Sequence, residues 1–416
     1  MKGLIKEIVD ESIKECLPDK AVIRELKNLP NLNGKKILIA IGKASYQMAK
    51  TALESDVKFD QAVVITKYDH LKDSLKGCVC FEAGHPISDE NTIKASKYAY
   101  DLVENLTKDD LVVMLTSGGG SSLFEIPLLN LEEIKDINNQ LLKKGADIVE
   151  INTIRKRLSK VKGGKFAKHI YPALVYNIIL SDVIGNRSDM IGSGPSYEDF
   201  STCEDALKIV EKYKLNLSKK ALELLKEETV KNLPNVRIKI SGSVDQLCFK
   251  AKEVLEKNGY KTEILTTSMD CEASEAGFLL SSIGKTKSKS KDKLAYIFGG
   301  ETIVHLKGKG RGGRNQELAF ASAKNISGLN NVKIISFSSD GTDGPTDAAG
   351  AFVDGKTFNK LKEKNIDYDY ILKNNDSYTA LKKLNQLIIT GPTGTNVNDL
   401  SIILINWFYY KCNVAE

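Results

Sequence analysis

Leu111–Ser122, LVVMLTSGGGSS, decides the fold class, because six consecutive apolar or β-branched residues run straight into a turn of glycines and serines. An unbroken apolar run of this length reads as a strand buried on both faces, as strands of a parallel sheet covered by helices are. The same grammar appears at Lys36–Ile41 (KILIAI), which is followed by Gly42, Lys43, Ala44 and Ser45 and then a helical pattern. Ala62–Thr66, Cys78–Phe81 and Asn177–Leu180 read as further strands, and Ser88, Asp89 and Glu90 open a helix with N-cap chemistry. Strands separated by helices predict an α/β domain with a parallel sheet. Polar and glycine residues gather after several strand ends, where ligands of open α/β sheets sit.

The chain of 416 residues is long enough for two or three domains. Its 42% apolar and 27% charged content is ordinary for a folded protein and argues against disorder. A net charge of +6, from 60 basic and 54 acidic residues, suits anionic small substrates without indicating nucleic acid. The 7 cysteines form no CxxC pair and the 4 histidines no HxxH or HExxH spacing, so neither a disulfide framework nor a zinc site is expected. The opening MKGLIKEIVDESIKECL places Leu4, Ile5, Ile8, Val9, Ile13 and Leu17 on one helical face and lacks the continuous apolar run of a signal peptide. No later stretch reaches about 18 apolar residues. A soluble cytoplasmic protein without a membrane partner is the expectation.

From Cys203 to about Lys231 the pattern is helical and charged, and Pro234 marks a break. The expected domains are therefore 1–233 and 234–416. Arg237–Ile240 is read as opening a second α/β series, followed by a helix to Asn258, a strand at Thr262–Thr266 and a strand-like run at Ala295–Phe298 continued by Thr302–Leu306. The basic stretch Gly284–Lys293 (GKTKSKSKDK) reads as a solvated loop, since no aromatic residues are interleaved for base stacking.

Gly308–Glu317, GKGRGGRNQE, follows that run and precedes a helical pattern. Glycines let backbone amides approach a ligand, and Arg311 and Arg314 offer planar forks matched to carboxylate or phosphate, so the stretch reads as an anion cradle. Two other readings stay open: a solvated hairpin tip, and a dinucleotide-binding turn, since Gly308, Gly310 and Gly313 satisfy GxGxxG.

No GxxxxGK[ST] is present, so a Walker-type nucleotide site is excluded at the motif level. The nearest substitute is Ser117, Gly118, Gly119, Gly120, Ser121 and Ser122, whose amides and hydroxyls could face phosphate; the alternative is a flexible linker, misplaced directly after a buried strand. Lys43 is either a surface lysine or a point charge for phosphoryl oxygens. Asp340, Asp343 and Asp347 could supply oxygens to Mg²⁺ or simply form turns, and Asp182, after a buried strand, is a second candidate for metal ligand or base.

Taken together, GKAS at Gly42–Ser45, SGGGSS, INTIRKRLSKVKGG at Ile151–Gly164, LSDVIGN with GSGP, GGETIV at Gly299–Val304, GRGGRNQE, SDGTDGPTDAAGA, NNDSY and TGPTGTNVNDL resemble the glycerate 2-kinase family across almost the whole chain, in order. The resemblance implies a Rossmann-like first domain with helices on both faces of its sheet, a smaller C-terminal α/β domain of the MOFRL type, and an active site in the cleft between them. It implies ATP- and Mg²⁺-dependent phosphorylation of D-glycerate to 2-phosphoglycerate by a monomer or homodimer, and it maps the family's active-site lysine and arginine onto Lys43 and Arg314. On that basis Lys43 and Ser117–Ser122 are expected to hold phosphate. Arg314, with Arg311, would hold the glycerate carboxylate or the γ-phosphate, and Asp182 or the Asp340–Asp347 loop, through Asp340 and Asp343, would hold the metal. Ile303 stands where a second threonine is common and Asn186 where an aspartate is frequent, so neither receives a role. Relatives of this type have also been labelled hydroxypyruvate reductases, which keeps that activity, and phosphorylation at the 3-position, as alternatives.

Overall fold

The apolar runs become strands β1 (Lys36–Ile41), β2 (Gln61–Lys67), β3 (Cys78–Ala83), β4 (Leu111–Thr116), β5 (Leu174–Leu180) and β6 (Val236–Gly242). They form one sheet in the order β3-β2-β1-β4-β5-β6, and the pairs β3·β2, β2·β1, β1·β4 and β4·β5 are parallel. This is the computed structural model of the chain, and it describes residues 3–181 and 191–406. Alternate residues of each strand feed opposite cores: Ile37, Ile39, Val112 and Met114 on one face, Leu38, Ala40, Val113 and Leu115 on the other. Each fully buried aliphatic side chain contributes about 1.5–3 kcal/mol, so two-sided burial is what fixes these strands. The strand order reverses between β1 and β4. A sheet that reverses there opens a crevice beyond the carboxyl ends of those two strands.

The chain divides into two units, Pro18–Ser241 and a discontinuous unit of Met1–Leu17 with Gly242–Glu416. The sequence placed a boundary at 233/234 and gave β6 to the second domain; β6 instead pairs at the edge of the first sheet. Its alternating VRIKISG pattern is that of an edge strand with one solvated face, which is why it did not read like its neighbours. The amphipathic helix Gly3–Glu15 belongs to the discontinuous unit, where Ile5, Ile8, Val9 and Ile13 pack with Val244, Leu247, Cys248 and Ala251 of the helix Val244–Lys257.

The discontinuous unit is built on β7 (Lys261–Met269), β8 (Leu294–Gly300), β9 (Val332–Ser338), β10 (Gly350–Asp354), β11 (Leu387–Ile388) and β12 (Asp399–Ile405). Their order is β11-β10-β9-β12-β8-β7, a mixed sheet in which only β7·β8 is parallel among the described pairs. Thr302–Leu306 does not continue β8; its one pairing is an isolated bridge from Ile303 to Glu272. Among the described residues no helix is long and apolar enough to cross a membrane.

Candidate active site

In the Pro18–Ser241 unit, the turns after β1 and β4 are tied together at the strand reversal. Lys43 N donates to Gly118 O at 2.9 Å, Ala44 N donates to Ser117 Oγ at 3.0 Å, and Ser117 N donates to Ile41 O at 2.9 Å. Gly42 is required here twice over, since its φ is +120° and a Cβ would lie 2.3 Å from Ser117 Oγ. Gly119 has φ +88°, and a Cβ there would lie 3.0 Å from the His85 ring and 3.2 Å from Lys43 Cγ. The two turns, Lys43 and His85 therefore meet at one point. Among the described residues no acceptor takes the amides of Gly118, Gly119, Gly120 or Ser121. Unpaired amides beside a lysine form a seat for an anion.

The electrostatics agree with that reading. Burial, and then the charges of Lys43, Lys67 and His70, push His85 below the usual histidine value, so positive charge is in excess there. His70 shares the locale, with Nδ1 3.2 Å from Lys43 O. Sequence reasoning searched the histidines only for metal spacing and missed both; the signal was the position of Gly84–His85 one residue past the carboxyl end of β3. Farther along, Ser121 Oγ accepts from Ser193 Oγ at 3.0 Å, and Ser88 Oγ donates to Ser122 O at 2.7 Å, so the turn is braced on its far side. Asp182 and Asn186 lie outside the described residues.

Three cations of INTIRKRLSKVKGG, Lys156, Arg157 and Lys162, are buried. Arg157 donates to Thr153 O, Ser201 Oγ and Ser201 O, Lys156 pairs with Asp199 at 3.1 Å, and Lys162 Nζ lies 2.9 Å from Glu125 and 2.7 Å from Phe124 O. Burial lowers the pKa of Lys162, and the Glu125 carboxylate opposes it. These are scaffold pairs under the turn that carries Ser121 and Ser122.

In the discontinuous unit, the amides of Lys307–Arg311 are filled, while those of Gly312 and Gly313 meet no acceptor among the described residues. Lys307 N and Gly308 N donate to Asn375 Oδ1, Lys309 N to Asn374 Oδ1, Gly310 N to Asn374 O and Arg311 N to Asp376 Oδ1. The glycines serve close packing: a Cβ at Gly308 or Gly310 would come within 2.4 Å of Asn374 or Asp376, and one at Gly313 within 2.3 Å of Asp343. The segment NNDSY is thus the loop's partner. The amides of Gly308 and Gly310 are already taken, and the loop runs from the end of β8 at Gly300 to the helix Arg314–Ser322, too long for a dinucleotide-binding turn.

Arg311 is exposed, donates from Nε to Pro345 O at 3.1 Å, and lies over the Tyr378 ring at 4.9 Å. Arg314, the first residue of its helix, is gripped by carboxylates. Its Nε and Nη2 donate to Asp399 at 2.5 and 3.0 Å, and its Nη1 donates to Glu301 Oε1 at 2.7 Å. Burial opposes the guanidinium charge, but Asp399, Glu301 and Asp343 outweigh it and raise the pKa above the usual arginine value. Burial lifts Asp399 to about 6 while the Arg314 fork opposes the shift. Three of the five arginine N–H groups are committed, leaving two for a ligand. Asp399 and Glu301 were quoted in the motifs NVNDL and GGETIV without a role; their pairing with Arg314 spans too much sequence to be read in advance.

Asp343 is buried and caps the helix Arg314–Ser322. It accepts from Gln316 N at 2.9 Å, Gln316 Nε2 at 3.0 Å and Asn315 N at 3.2 Å. Both its oxygens are occupied, so the metal-ligand expectation conflicts with its geometry. Asp340 holds a turn through Oδ1, which accepts from Thr342 N at 2.8 Å and Ser338 Oγ at 3.0 Å; its Oδ2 has no partner among the described residues. Asp347 is exposed and accepts from Tyr378. Among the described residues no three His, Cys, Asp or Glu side chains group so as to hold a metal ion.

Comparison with known proteins places the chain. Residues 4–226 match a family described as a domain of unknown function (DUF4147), and residues 294–399 match the MOFRL family. A D-glycerate 2-kinase of Thermotoga maritima is 51% identical over 414 residues, covering 97% of this chain and 98% of that one. A glycerate 2-kinase of Pyrococcus horikoshii is 41% identical over 427 residues, covering 96% of each. A crystal structure of glycerate kinase (EC 2.7.1.31) from Thermotoga maritima superposes with a TM-score of 0.92 at 50% identity, over 97% of this chain and 99% of that one. With two α/β units, the second carrying a MOFRL match, and full-length relatives of this kind, the chain belongs to the glycerate 2-kinase family.

Proposed function

We propose that the protein transfers the γ-phosphoryl group of ATP to the 2-hydroxyl of D-glycerate. The observation that carries this reading is the group of unpaired amides at Gly118–Ser121 beside Lys43, at the strand reversal of a Rossmann-type sheet. Phosphoryl transfer asks a protein mainly for positioning and charge neutralisation, and this turn offers both without a strong base. Lys43 neutralises the phosphoryl oxygens in transit, the turn amides orient the phosphate chain, and neutral His85 stands ready to donate or accept a hydrogen bond there. Arg314, held in one rotamer by Asp399 and Glu301, uses its two remaining N–H groups on the substrate carboxylate or the γ-phosphate.

A nucleotide-bound Mg²⁺ keeps several waters and takes only one or two protein carboxylates. Asp340 fits that demand through its unpartnered Oδ2, and Asp343, filled by helix amides, does not. Asp340 would be a ligand to the metal, which would supply charge neutralisation to the phosphate chain. A cytoplasmic location accords with free cysteines throughout the described residues.

The position of phosphorylation rests on the 2-kinase names of two relatives, against the class number EC 2.7.1.31, which denotes the 3-position. Phosphorus NMR of the product from ATP, Mg²⁺ and D-glycerate decides. The expected product is 2-phosphoglycerate. Formation of 3-phosphoglycerate overturns the regiochemistry, and oxidation of NADH by hydroxypyruvate with no phosphorylated product overturns the kinase reading altogether.

A further inference from the structure

The turn that carries Ser121 and Ser122 has a second face. Behind it, wholly within the Pro18–Ser241 unit, lies a cavity of about 440 Å³. Its walls are mostly apolar: Ile87, Leu131, Ile134, Ile137, Leu142 and Ile154 all line it. Eight lining residues are polar, among them Asn138 and Asn139 with amides, Lys135 with an ammonium and Arg155 with a guanidinium. Arg155 donates from Nε to Asn138 Oδ1 at 2.7 Å, and among the described residues its terminal nitrogens meet no acceptor. Glu125, also on the wall, gives Oε2 to Lys162, while its buried Oε1 has no partner.

A buried carboxylate oxygen without a partner and a guanidinium with its terminal nitrogens unfilled, among the described residues, are costly unless something completes them. The volume falls in the usual range for small-molecule sites, about 300–1,000 Å³. A three-carbon hydroxy acid is polar on every side and would fill a small part of this space, leaving the isoleucines and leucines against water. A planar heteroaromatic base attached to a sugar matches the lining instead: apolar faces for the ring, side-chain amides for its edge, and hydrogen-bonding groups for hydroxyls. The cavity is continuous with Ser121 and Ser122, the last residues of the phosphate turn. A nucleoside seated here directs its phosphates toward Gly118–Ser121 and Lys43.

We infer that this cavity is the nucleoside subsite of the phosphoryl donor, taking the base between Ile134 and Ile154 with Asn138 and Arg155 at its polar edge. The inference rests on the donor role proposed above but makes a separate claim about place. It is tested by calorimetric titration of the full-length protein with ADP and, separately, with inorganic tripolyphosphate. Filling the cavity with Ile134→Trp is expected to weaken ADP at least about 30-fold, a loss of roughly one and a half powers of ten in affinity, while tripolyphosphate stays within about twofold because the glycine turn is untouched. Arg155→Met, which keeps the aliphatic stem, is expected to weaken ADP by about 5–20-fold, the scale of one or two hydrogen bonds to a charged donor. An Ile134→Trp protein that binds ADP within threefold of the wild type overturns the assignment, as does a wild type that binds tripolyphosphate as tightly as ADP.

Should Ile134→Trp not fold, photolabelling of the wild-type protein with 8-azido-ADP decides: attachment within residues 131–142 or 154–158 supports the site, and attachment elsewhere overturns it. The two proposals fail differently. Tight ADP binding without phosphoryl transfer sinks the kinase reading and leaves the pocket. Phosphoryl transfer with an unchanged KM for ATP in Ile134→Trp sinks the pocket and leaves the kinase.

Discussion

Asp343→Ala separates a helix cap from a metal ligand at a residue where the sequence left ligand and turn former both open. In the structure Asp343 accepts three hydrogen bonds of 2.9–3.2 Å from Asn315 N, Gln316 N and Gln316 Nε2, all buried. Loss of an N-cap costs about 0.5–2 kcal/mol. The donors it leaves stranded add about 1–3 kcal/mol. Against this, burial raises the Asp343 pKa, so deleting the carboxylate also relieves a desolvation cost. The net expectation is a loss of about 2–4 kcal/mol, which for a unit of this size lowers the thermal midpoint by about 4–16 °C. The assay is differential scanning calorimetry in EDTA, without nucleotide, joined to hydrogen exchange at the Asn315 and Gln316 amides. Both amides should lose protection in the variant. A shift below about 1 °C in EDTA, with destabilisation seen only when Mg²⁺ and ATP are present, would refute the cap and restore the ligand. Because Arg314 is the first residue of this helix, kcat/KM should fall along with the exchange protection.

Lys43→Ala is expected to lower kcat/KM at least about 100-fold with the thermal midpoint unchanged, since the side chain is exposed; a fall below threefold removes Lys43 from the mechanism. Arg314→Ala should cost at least about 100-fold and Arg314→Lys nearly as much, because an ammonium cannot span both Asp399 oxygens; recovery of activity in the lysine variant would mean that charge alone suffices. Asp399 gives two opposite pH slopes. Its pKa rises from 3.8 in the unfolded chain to about 6, so the folded state holds a proton that the unfolded state has lost, and its contribution to stability falls as pH rises across that window. Activity, which needs the carboxylate to hold Arg314, should rise across the same window, and Asp399→Asn should flatten both profiles; parallel slopes would contradict the assignment. Gly119→Ala forces a Cβ against His85 and Lys43 at φ +88°, and should cost about 1 kcal/mol of stability and at least about tenfold in kcat/KM, with steady-state kinetics and calorimetry as the checks.

How much was legible depended on what each signal records. β1, β4 and β5 were readable because both their faces are buried, which writes an uninterrupted apolar run into the sequence. β6 carries the alternating mark of an edge and was assigned to the wrong sheet, while β10, at Gly350–Asp354, is hidden at the end of a glycine- and alanine-rich loop. The orientation of neighbours in the second sheet is a long-range property that burial alone does not encode. In the same way, the turns at Gly42–Ser45 and Ser117–Ser122 could be named from their residues, but the amides of Gly308–Arg311 could not be seen to be filled, because the partners Asn374–Asp376 lie in a different segment.

The place of the helix Gly3–Glu15 bears on how the chain is made. It precedes the whole of Pro18–Ser241 in the chain, yet its partners begin at Val244. At about 5–20 residues per second, an amphipathic helix presenting Ile5, Ile8, Val9 and Ile13 waits roughly 10–45 s before its first partner, Val244, is made, while Pro18–Ser241 has time to fold as a completed insert. During that interval the nascent protein carries an uncovered apolar stripe ahead of Pro18, and a chaperone that captures this stripe acts on the discontinuous unit alone.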